Sequence, residues 1–391
     1  MSILTTPLQI GYFIGLMFAI IFWYRSYKDE RHSDLFLGFV MFFLAMTLQD
    51  YTFGFAGINY LWEEMNGFPR YFALAFAPTV WFYLRAQLNR RFRFTFRDSK
   101  HYLPYFLYLV FNLVVFFSGS ENVQRFQSSD LSHVLGLLEK VGILLSYGYY
   151  FYQSLKIYHA YRLWTETQFS NQDTISFLWL RNFIYLIIAG EIFKWGWYFA
   201  DYILNMKFED DWWWHLFTVA ITLYVGIVGF AQPQPLFLCF NEKEELPKAD
   251  PLQLPLETNE SQDMNPISEN VLSNSKGNVG VDYDQWQLKL SELMENEKPY
   301  LNPDLSLTEL AKVLKTNTTI LSAVINQRFG RNFNDFINAF RIEEFLKLSK
   351  HKDYRNFTIL AIAYDCGFNS KATFNRAAKK IKNSSPSELI K

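Results

Sequence analysis

Seven apolar stretches follow one another in the first 235 residues of the chain, and they constrain its fold more than any other feature. Each is close to the roughly 20 residues that a helix needs to cross a hydrocarbon layer about 30 Å thick. A soluble helical bundle would instead carry a polar, charged face along each helix. We therefore predict an all-α protein that begins with a seven-helix transmembrane bundle. The predicted spans are Leu8–Tyr27, Leu35–Phe55, Tyr71–Leu88, Tyr102–Ser118, Val134–Leu155, Phe177–Leu204 and Trp212–Ala231.

The distribution of Lys and Arg between the loops predicts the orientation of these spans. Loops on one side carry eleven basic residues, whereas the opposite loops carry three, beside seven acidic residues. The positive-inside rule places the basic loops in the cytoplasm, so the N-terminus is expected outside and the C-terminus inside. Met1–Gln9 lacks the basic region of a signal peptide, so the first span is expected to stay as an anchor. The predicted location is the cytoplasmic membrane, with multiple spans.

Charge separates the chain into three parts. Residues 1–240 have no net charge, residues 241–280 have a net charge of −5, and residues 281–391 have a net charge of +4. The middle part is rich in Glu, Asn, Ser, Pro and Gln and lacks periodicity, which is typical of a flexible linker. We predict a transmembrane sensor domain at 1–235, a flexible acidic linker at 236–280 and a cytoplasmic domain with two helix-turn-helix units at 281–391.

The first predicted helix-turn-helix unit has clear signals at its helix ends. Ser306-Leu307-Thr308-Glu309 forms a capping box that opens a short helix. Asn317 then caps a second helix at Thr318–Phe329, and Gly330 is suited to end it in the left-handed conformation. Small and amide side chains on the outer face of this helix allow close approach to the major groove and pairing with base edges. These residues are Thr319, Ser322, Ala323, Asn326 and Gln327.

The second predicted unit repeats this pattern. Ile359–Cys366 is predicted as a short helix, and Ser370 as the cap of a helix at Lys371–Lys382. The predicted exposed face of that helix consists of Lys371, Ala372, Thr373, Asn375 and Arg376, while Lys379, Lys380 and Lys382 are placed to meet phosphates. Phe333–Lys350 is predicted as one long helix between the units. It would hold two helices about 34 Å apart, so that they enter successive major grooves of double-stranded DNA.

The sequence of this C-terminal part resembles a known family. The stretch Ile359-Leu-Ala-Ile-Ala-Tyr-Asp-Cys-Gly-Phe-Asn-Ser-Lys-Ala-Thr-Phe-Asn-Arg376, followed by Ser385-Pro386-Ser387-Glu388, resembles the AraC/XylS transcription regulators. Leu307–Ala311, with Leu321-Ser322 and Gly330, looks like the first half of the same domain. The resemblance implies a double helix-turn-helix DNA reader with the residues named above at base-facing positions. The N-terminal part resembles the seven-span variant of this family, in the segments 77–85 and 229–235.

Two residues depart from the family's pattern. Asn383 stands where the family usually has glycine, and this change is mild because Asn tolerates the left-handed conformation. Ala378 stands where the family usually has a large aromatic residue. We expect this smaller side chain to weaken the packing of the last long helix against the rest of its unit.

Ionisable residues within the predicted spans mark a candidate ligand site, because charges inside a bilayer are usually functional. Several of them share helical stripes with aromatic residues, and most fall in the outer half of the membrane. We therefore predict an outward-facing, aromatic-lined pocket for a small-molecule or membrane signal. Its predicted residues are Asp50, Glu139, Glu191, Lys194, Tyr198 and Asp201. The alternative is that Glu191 and Lys194 only neutralise each other between helices.

These features predict a membrane-bound one-component transcription regulator, in which a signal at the spans changes DNA binding. A homodimer is one expected assembly, because pairing two weak DNA readers raises their effective concentration. Two alternatives stay open: a transporter or channel whose tail regulates its own operon, and regulated proteolysis that frees the tail.

Nothing in the sequence predicts an enzyme, a cofactor or a metal site. The six histidines are scattered, and neither Cys239 nor Cys366 has a CxxC partner. The sequence also contains no GxGxxG, P-loop or GxSxG motif.

Overall fold

The computed structural model describes residues 5–170, 178–207, 210–232, 240 and 283–390. These residues form α-helices, short 3₁₀ helices and turns, and no β-strand occurs among them. The all-α prediction is confirmed for this part of the chain. The chain divides into two compact units, of which the first comprises Met1–Tyr161 and Phe177–Glu242, and the second Arg162–Ser176 and Lys243–Lys391. Apart from Phe240, the predicted linker at 236–280 lies outside the described residues, and the predicted domain boundaries stay predictions.

The first unit is built from long helices. A 3₁₀ helix at Phe96–Tyr102 leads directly into the fourth of them, and the sixth runs on into the second unit. The helices are α1 (Thr5–Lys28), α2 (His32–Phe55), α3 (Ala73–Leu88), α4 (Leu103–Phe117), α5 (Ser120–Gln127), α6 (Asp130–Gln168), α7 (Leu178–Leu204) and α8 (Trp212–Phe230).

Each of the seven predicted spans overlaps a helix, but among the described residues four helical segments are both long and apolar enough to cross a membrane. They are Thr6–Lys28, His32–Phe55, Phe96–Phe117 and Trp212–Phe230. Helix α3 has 16 residues and is short for a bilayer, whereas α6 and α7 are long enough but carry more charged residues than these four segments. The count of seven membrane spans therefore stays a prediction.

Helix α6 differs most from the prediction. It runs for 39 residues rather than ending at Leu155, which corresponds to about 58 Å at 1.5 Å per residue. That length exceeds the roughly 30 Å of a hydrocarbon layer. The short helix α5 was not predicted at all, because its eight residues are mostly polar.

Glycines let α1, α2 and α8 approach closely. A side-chain Cβ at Gly11 would lie 2.5 Å from a methyl group of Val219, and one at Gly15 would lie 3.0 Å from Ala45. A Cβ at Gly226 would collide with the ring of Phe18. Close backbone approach at small residues is the usual way in which membrane helices pack.

The second unit contains shorter helices arranged around two hydrophobic cores. They are α9 (Tyr283–Asn296), α10 (Leu307–Val313), α11 (Thr318–Phe329), α12 (Phe333–Leu348), α13 (Ile359–Asp365), α14 (Lys371–Lys382) and α15 (Pro386–Leu389), with 3₁₀ helices at Pro299–Leu301 and Lys352–Tyr354.

Helix α12 joins the two cores. Phe336 and Ile337 pack in the first core, and Ile342 and Phe345 pack in the second. The predicted long helix between the units is thus confirmed, although it ends at Leu348 rather than Lys350. Because one helix contributes to both cores, each helix-turn-helix unit is packed against a different part of the same element.

Candidate nucleic-acid interface and ligand cavity

Local capping positions the first reading helix, which is α11. The Oγ of Ser306 accepts a hydrogen bond from the backbone N–H of Glu309 at 3.2 Å, and the carboxylate of Glu309 accepts one from the N–H of Ser306 at 3.0 Å. Asn317 caps α11 by accepting a bond from the N–H of Ile320 at 2.7 Å. Gly330 ends the helix with a φ of 64°. The capping box, both caps and the bounds of α11 agree with the sequence prediction.

Burial fixes which face of α11 is available. Leu321, Val324 and Ile325 are buried in the first core, as predicted. The opposite face carries the five predicted base-facing residues. Thr319, Asn326 and Gln327 are exposed, and Ser322 and Ala323 are half-buried.

The second reading helix, α14, is held in the same way. Thr358 caps α13 through the N–H of Ala361 at 3.1 Å, and Ser370 caps α14 through the N–H of Thr373 at 3.1 Å. Helix α14 begins at Lys371 and ends at Lys382, as predicted. Asn383 then adopts a φ of 54°, which confirms that asparagine takes the left-handed conformation here.

One predicted reading residue faces the other way. Lys371, Ala372, Asn375 and Arg376 are exposed, but Thr373 is only 7% exposed. Its hydroxyl lies 3.2 Å from the Oγ of Ser370. The prediction that Thr373 is exposed is therefore wrong, because it lies one helical turn before the buried Ala377 and shares its face.

The lysines near the end of α14 take part in ion pairs with α12. Lys380 lies 2.6 Å from a carboxylate oxygen of Asp335, and Lys382 lies 2.5 Å from one of Glu343. Both lysines keep exposed positive charge, as does Lys379. These pairs help to fix the direction in which α14 presents its outer face.

Ala378 is completely buried in the second core. Beside it, the ring of Phe374 lies 4.7 Å from that of Phe345 and 5.1 Å from that of Phe368, measured between centroids. Aromatic packing in this core thus comes from other positions than residue 378. The expected weaker packing of α14 stays a prediction.

A buried arginine that sequence reasoning missed organises the start of the domain. Arg341 is 1% exposed, and its guanidinium donates to the carbonyl oxygens of Tyr300 and Asn302, each at 2.8 Å. Burial lowers the pKa of Arg341 to about 10, so it remains charged at neutral pH. The sequence signal that could have identified it is the helical spacing of Arg341 from Ile337 and Phe345, which are buried residues of α12.

Sequence reasoning also missed that the end of α6 packs within the second unit. Both the N–H and the Oγ of Ser170 donate to the carbonyl of Leu305, at 3.2 and 2.7 Å. Asn334 donates to the carbonyls of Phe169 and Ser170, at 3.2 and 2.8 Å. No local pattern could have indicated this docking, because the partners are more than 130 residues apart in the chain.

In the first unit, a cavity of about 500 Å³ brings together four of the six predicted ligand residues. They are Asp50, Glu191, Lys194 and Tyr198. Glu139 and Asp201 do not line this cavity, and Asp201 instead accepts a bond from the N–H of Met206 at 3.0 Å. Ligand binding in this cavity stays a prediction.

Two ion pairs define the polar walls of the cavity. Arg70, which was not among the predicted ligand residues, lies 2.9 Å from Asp50, and the hydroxyl of Tyr71 donates to the same carboxylate at 2.5 Å. Lys194 lies 2.5 Å from Glu191, so these residues neutralise each other and also line the cavity. The pair lies within α7, one turn apart, and not between helices as the alternative interpretation expected. Trp62, Trp214 and His215 are among the polar and aromatic residues that also line the cavity.

Comparison with known proteins identifies a domain within the second unit. Residues 310–391 match a family described as a helix-turn-helix domain. The chain carries an AraC-type helix-turn-helix domain. No curated protein and no solved structure matches the chain. The family match covers both reading helices and supports a role in DNA-binding transcription regulation.

Proposed function

We propose that this protein is a membrane-integral one-component regulator that binds double-stranded DNA sequence-specifically under the control of a signal. One observation carries the proposal: α11 and α14 are capped alike, and each buries one face in its own core. Each also turns a polar face outward, and α12 joins the two cores. Two helices held in this manner suit adjacent major-groove sites on one face of DNA.

The reading residues divide by chemistry. Asn326, Gln327 and Asn375 carry amides that pair with adenine edges, and Arg376 suits guanine. The proposed base-facing set is completed by Thr319, Ser322, Ala323, Lys371 and Ala372. Thr373 is buried, and its backbone N–H donates to the capping Oγ of Ser370 at the start of α14. The exposed lysines of α14 would neutralise phosphates and make binding salt-dependent.

The apolar helices of the first unit support the membrane part of the proposal. Four segments already meet the length and composition of a membrane span, and the excess of basic residues in one set of loops favours an outer N-terminus and a cytoplasmic DNA-binding domain. We propose that all seven predicted spans cross the cytoplasmic membrane. In this arrangement the signal molecule binds in the cavity that Asp50, Glu191 and Lys194 line.

The same cavity favours a second candidate function. A membrane cavity with charged walls also suits a transporter or channel whose C-terminal domain regulates its own expression. Flux of a solute into vesicles that contain the purified full-length protein would support this alternative. A regulator without transport activity would show none.

Replacement of reading residues tests the DNA-binding proposal. We expect Ser322→Glu and Lys371→Glu each to weaken specific binding by about 1–3 kcal/mol, because a carboxylate would replace a groove-facing group and repel the bases and phosphates. Footprinting of the full-length protein at matched salt measures this change. Lys289→Glu on α9, which changes the charge as much as Lys371→Glu does, is the control and should leave the footprint intact. Unchanged footprints in both reading variants would contradict the assignment.

A further inference from the structure

The cavity of the first unit has a charge balance that restricts its ligand. Asp50 is paired with Arg70, and Glu191 is paired with Lys194, so the four charged side chains sum to zero. A ligand with a net charge would separate one of these pairs and leave a largely buried partner uncompensated, which is costly. The lining therefore favours a ligand without net charge.

His215 indicates which groups such a ligand carries. It is 2% exposed, and neither of its ring nitrogens has a hydrogen-bond partner among the described residues. A neutral imidazole offers one donor and one acceptor, and leaving both unmade inside a protein is unfavourable. A hydroxyl or amide group of a ligand in the cavity would satisfy either nitrogen, because it donates and accepts.

Size and shape add a third restriction. A volume of about 500 Å³ falls within the range of sites that hold drug-sized molecules. The rings of Trp62, Tyr71, Tyr147 and Trp214 also line the cavity. Flat aromatic faces suit a ligand that itself contains a ring.

We propose that the cavity binds a neutral, ring-containing molecule with hydroxyl or amide groups, such as a sugar or a nucleoside. This inference rests on the proposed function, because it specifies the signal that controls the regulator. His215 anchors the ligand through its unpartnered nitrogens, and the two ion pairs stay intact around it.

Thermal unfolding of the full-length protein in lipid nanodiscs tests the ligand class without DNA. The neutral probes are glucose, N-acetylglucosamine and uridine, and the charged probes are glutamate, citrate and spermidine. We expect at least one neutral probe to raise the melting temperature by roughly 5 °C at a hundredfold excess over its Kd. The sugar and nucleoside arms distinguish the two sources of this chemistry.

Two variants connect that shift with the cavity. His215→Phe keeps a ring but removes both nitrogens and should abolish the shift, whereas His133→Phe, at an exposed position on α6, should retain it. No shift with any neutral probe, or a His215-dependent shift with a charged probe alone, would overturn the inference. Since DNA is absent, a failure of DNA regulation would leave this result unchanged.

A separate observation concerns the docking segment, which we define as Arg162–Ser170. It belongs to the second unit, where Ser170 is fully buried and bonded to Leu305, Asn334 and Arg341. Arg162 and Glu166 of the segment line a cavity of about 170 Å³ with α14, both with the buried Thr373 and Ala377 and with the exposed Arg376 and Lys380. The end of α6 therefore borders the side of α14 that carries Arg376, a proposed base-facing residue, and Lys380.

The width of DNA grooves gives this position a consequence. The major groove is about 12 Å wide, and one helix with its side chains has a diameter of about 10–12 Å. The groove admits α14 but not a second helix next to it. We infer that the docking segment keeps the DNA-binding domain autoinhibited, and that a signal releases the segment. This second inference also rests on the proposed function.

A positive charge introduced at the buried Ser170 tests the autoinhibition. Ser170→Lys places an ammonium group against the guanidinium of Arg341, which lies 3.1 Å from the Oγ of Ser170, and should expel the segment. The control is Thr167→Lys, which adds the same charge in the same docking segment, where the Thr167 hydroxyl donates to the carbonyl oxygen of Trp164. Binding is measured with full-length protein in nanodiscs, on a duplex selected from a random library by the unaltered protein.

We expect Ser170→Lys to bind DNA about tenfold more tightly than Thr167→Lys, within the usual range of coupling between sites. Asn334→Ala, which removes two docking bonds without adding charge, should change affinity in the same direction and covers the case in which the lysine variant fails to fold. Equal or weaker binding by Asn334→Ala and Ser170→Lys would overturn the inference. Specific binding by the control shows that the proposed function itself holds.

Discussion

Gly367 shows how a single residue fixes the turn between α13 and α14. Its φ is 88°, and a Cβ at this position would lie 2.5 Å from the carbonyl oxygen of Tyr300 and 2.8 Å from that of Leu301. Glycine is required twice here, because the left-handed conformation disfavours a side chain and neighbouring backbone leaves no space for one. Gly330 also has a positive φ, but nothing lies within 4 Å of its Cβ position.

The two glycines therefore predict different costs for the same substitution. We expect Gly367→Ala to reduce the free energy of unfolding by about 3 kcal/mol, from backbone strain and collision together. Gly330→Ala should cost about 1 kcal/mol, from the conformation alone. Hydrogen exchange of the amides of α14 in the full-length protein measures the difference. Equal protection in both variants would contradict the role of the Tyr300 and Leu301 carbonyls.

The thiol of Cys366 predicts a pH dependence of stability. Cys366 is fully buried, and burial raises its pKa to about 12, whereas an unfolded cysteine titrates near a pKa of about 8.5. The protonated thiol therefore contributes its full stabilisation below pH ~8.5. This contribution is lost as the pH rises from ~8.5 through the folded-state pKa of about 12. In a Cys239→Ser background, stability should fall by about 1.4 kcal/mol per pH unit above pH ~8.5 relative to Cys366→Ala. Parallel pH profiles of unfolding for the two proteins would show that the thiol ionises freely in the folded state.

At the scale of elements, helix ends were predictable and helix partners were not. Ser306, Asn317, Ser370 and Gly330 act within a few residues of their own positions, so the bounds of α11 and α14 follow from local sequence. The extension of α6 to Gln168 and its docking at Leu305 depend on contacts far along the chain. Four of the six residues predicted for the ligand site meet in one cavity because helical stripes predict faces, but Arg70 enters it from outside the predicted stripes.

Close packing of α1 against α8 predicts a cost for a larger side chain at their contact. Gly226→Val would place methyl groups in the space of the Phe18 ring, and we expect a loss of about 1–3 kcal/mol through overpacking. Gly148→Val is the matched control, since nothing lies within 4 Å of its Cβ position on α6. Thermal unfolding of the purified protein in nanodiscs, followed by size exclusion, measures both variants. A melting temperature of Gly226→Val that equals that of Gly148→Val would count against tight contact of the two helices.

On the scale of the whole molecule, two chemistries share one chain. The first unit supplies apolar helices and a charge-balanced cavity, and the second supplies an AraC-type helix-turn-helix domain. Helix α6 contributes residues to both units, so the connection between them does not depend on the acidic segment at 241–280 alone. Composition and charge predicted the two kinds of unit. That α6 contributes residues to both units could be recognised only from the structure.

Recovery of DNA with the intact protein from membranes tests the central claim most directly. Cells are cross-linked, membranes are separated, and the DNA bound to the full-length chain is sequenced. We predict a defined set of duplex sites in the membrane fraction, lost in Ser322→Glu and Lys371→Glu and kept in Lys289→Glu. Recovery of those sites only with a shorter soluble fragment, or of no specific DNA with the full-length chain, would contradict the account.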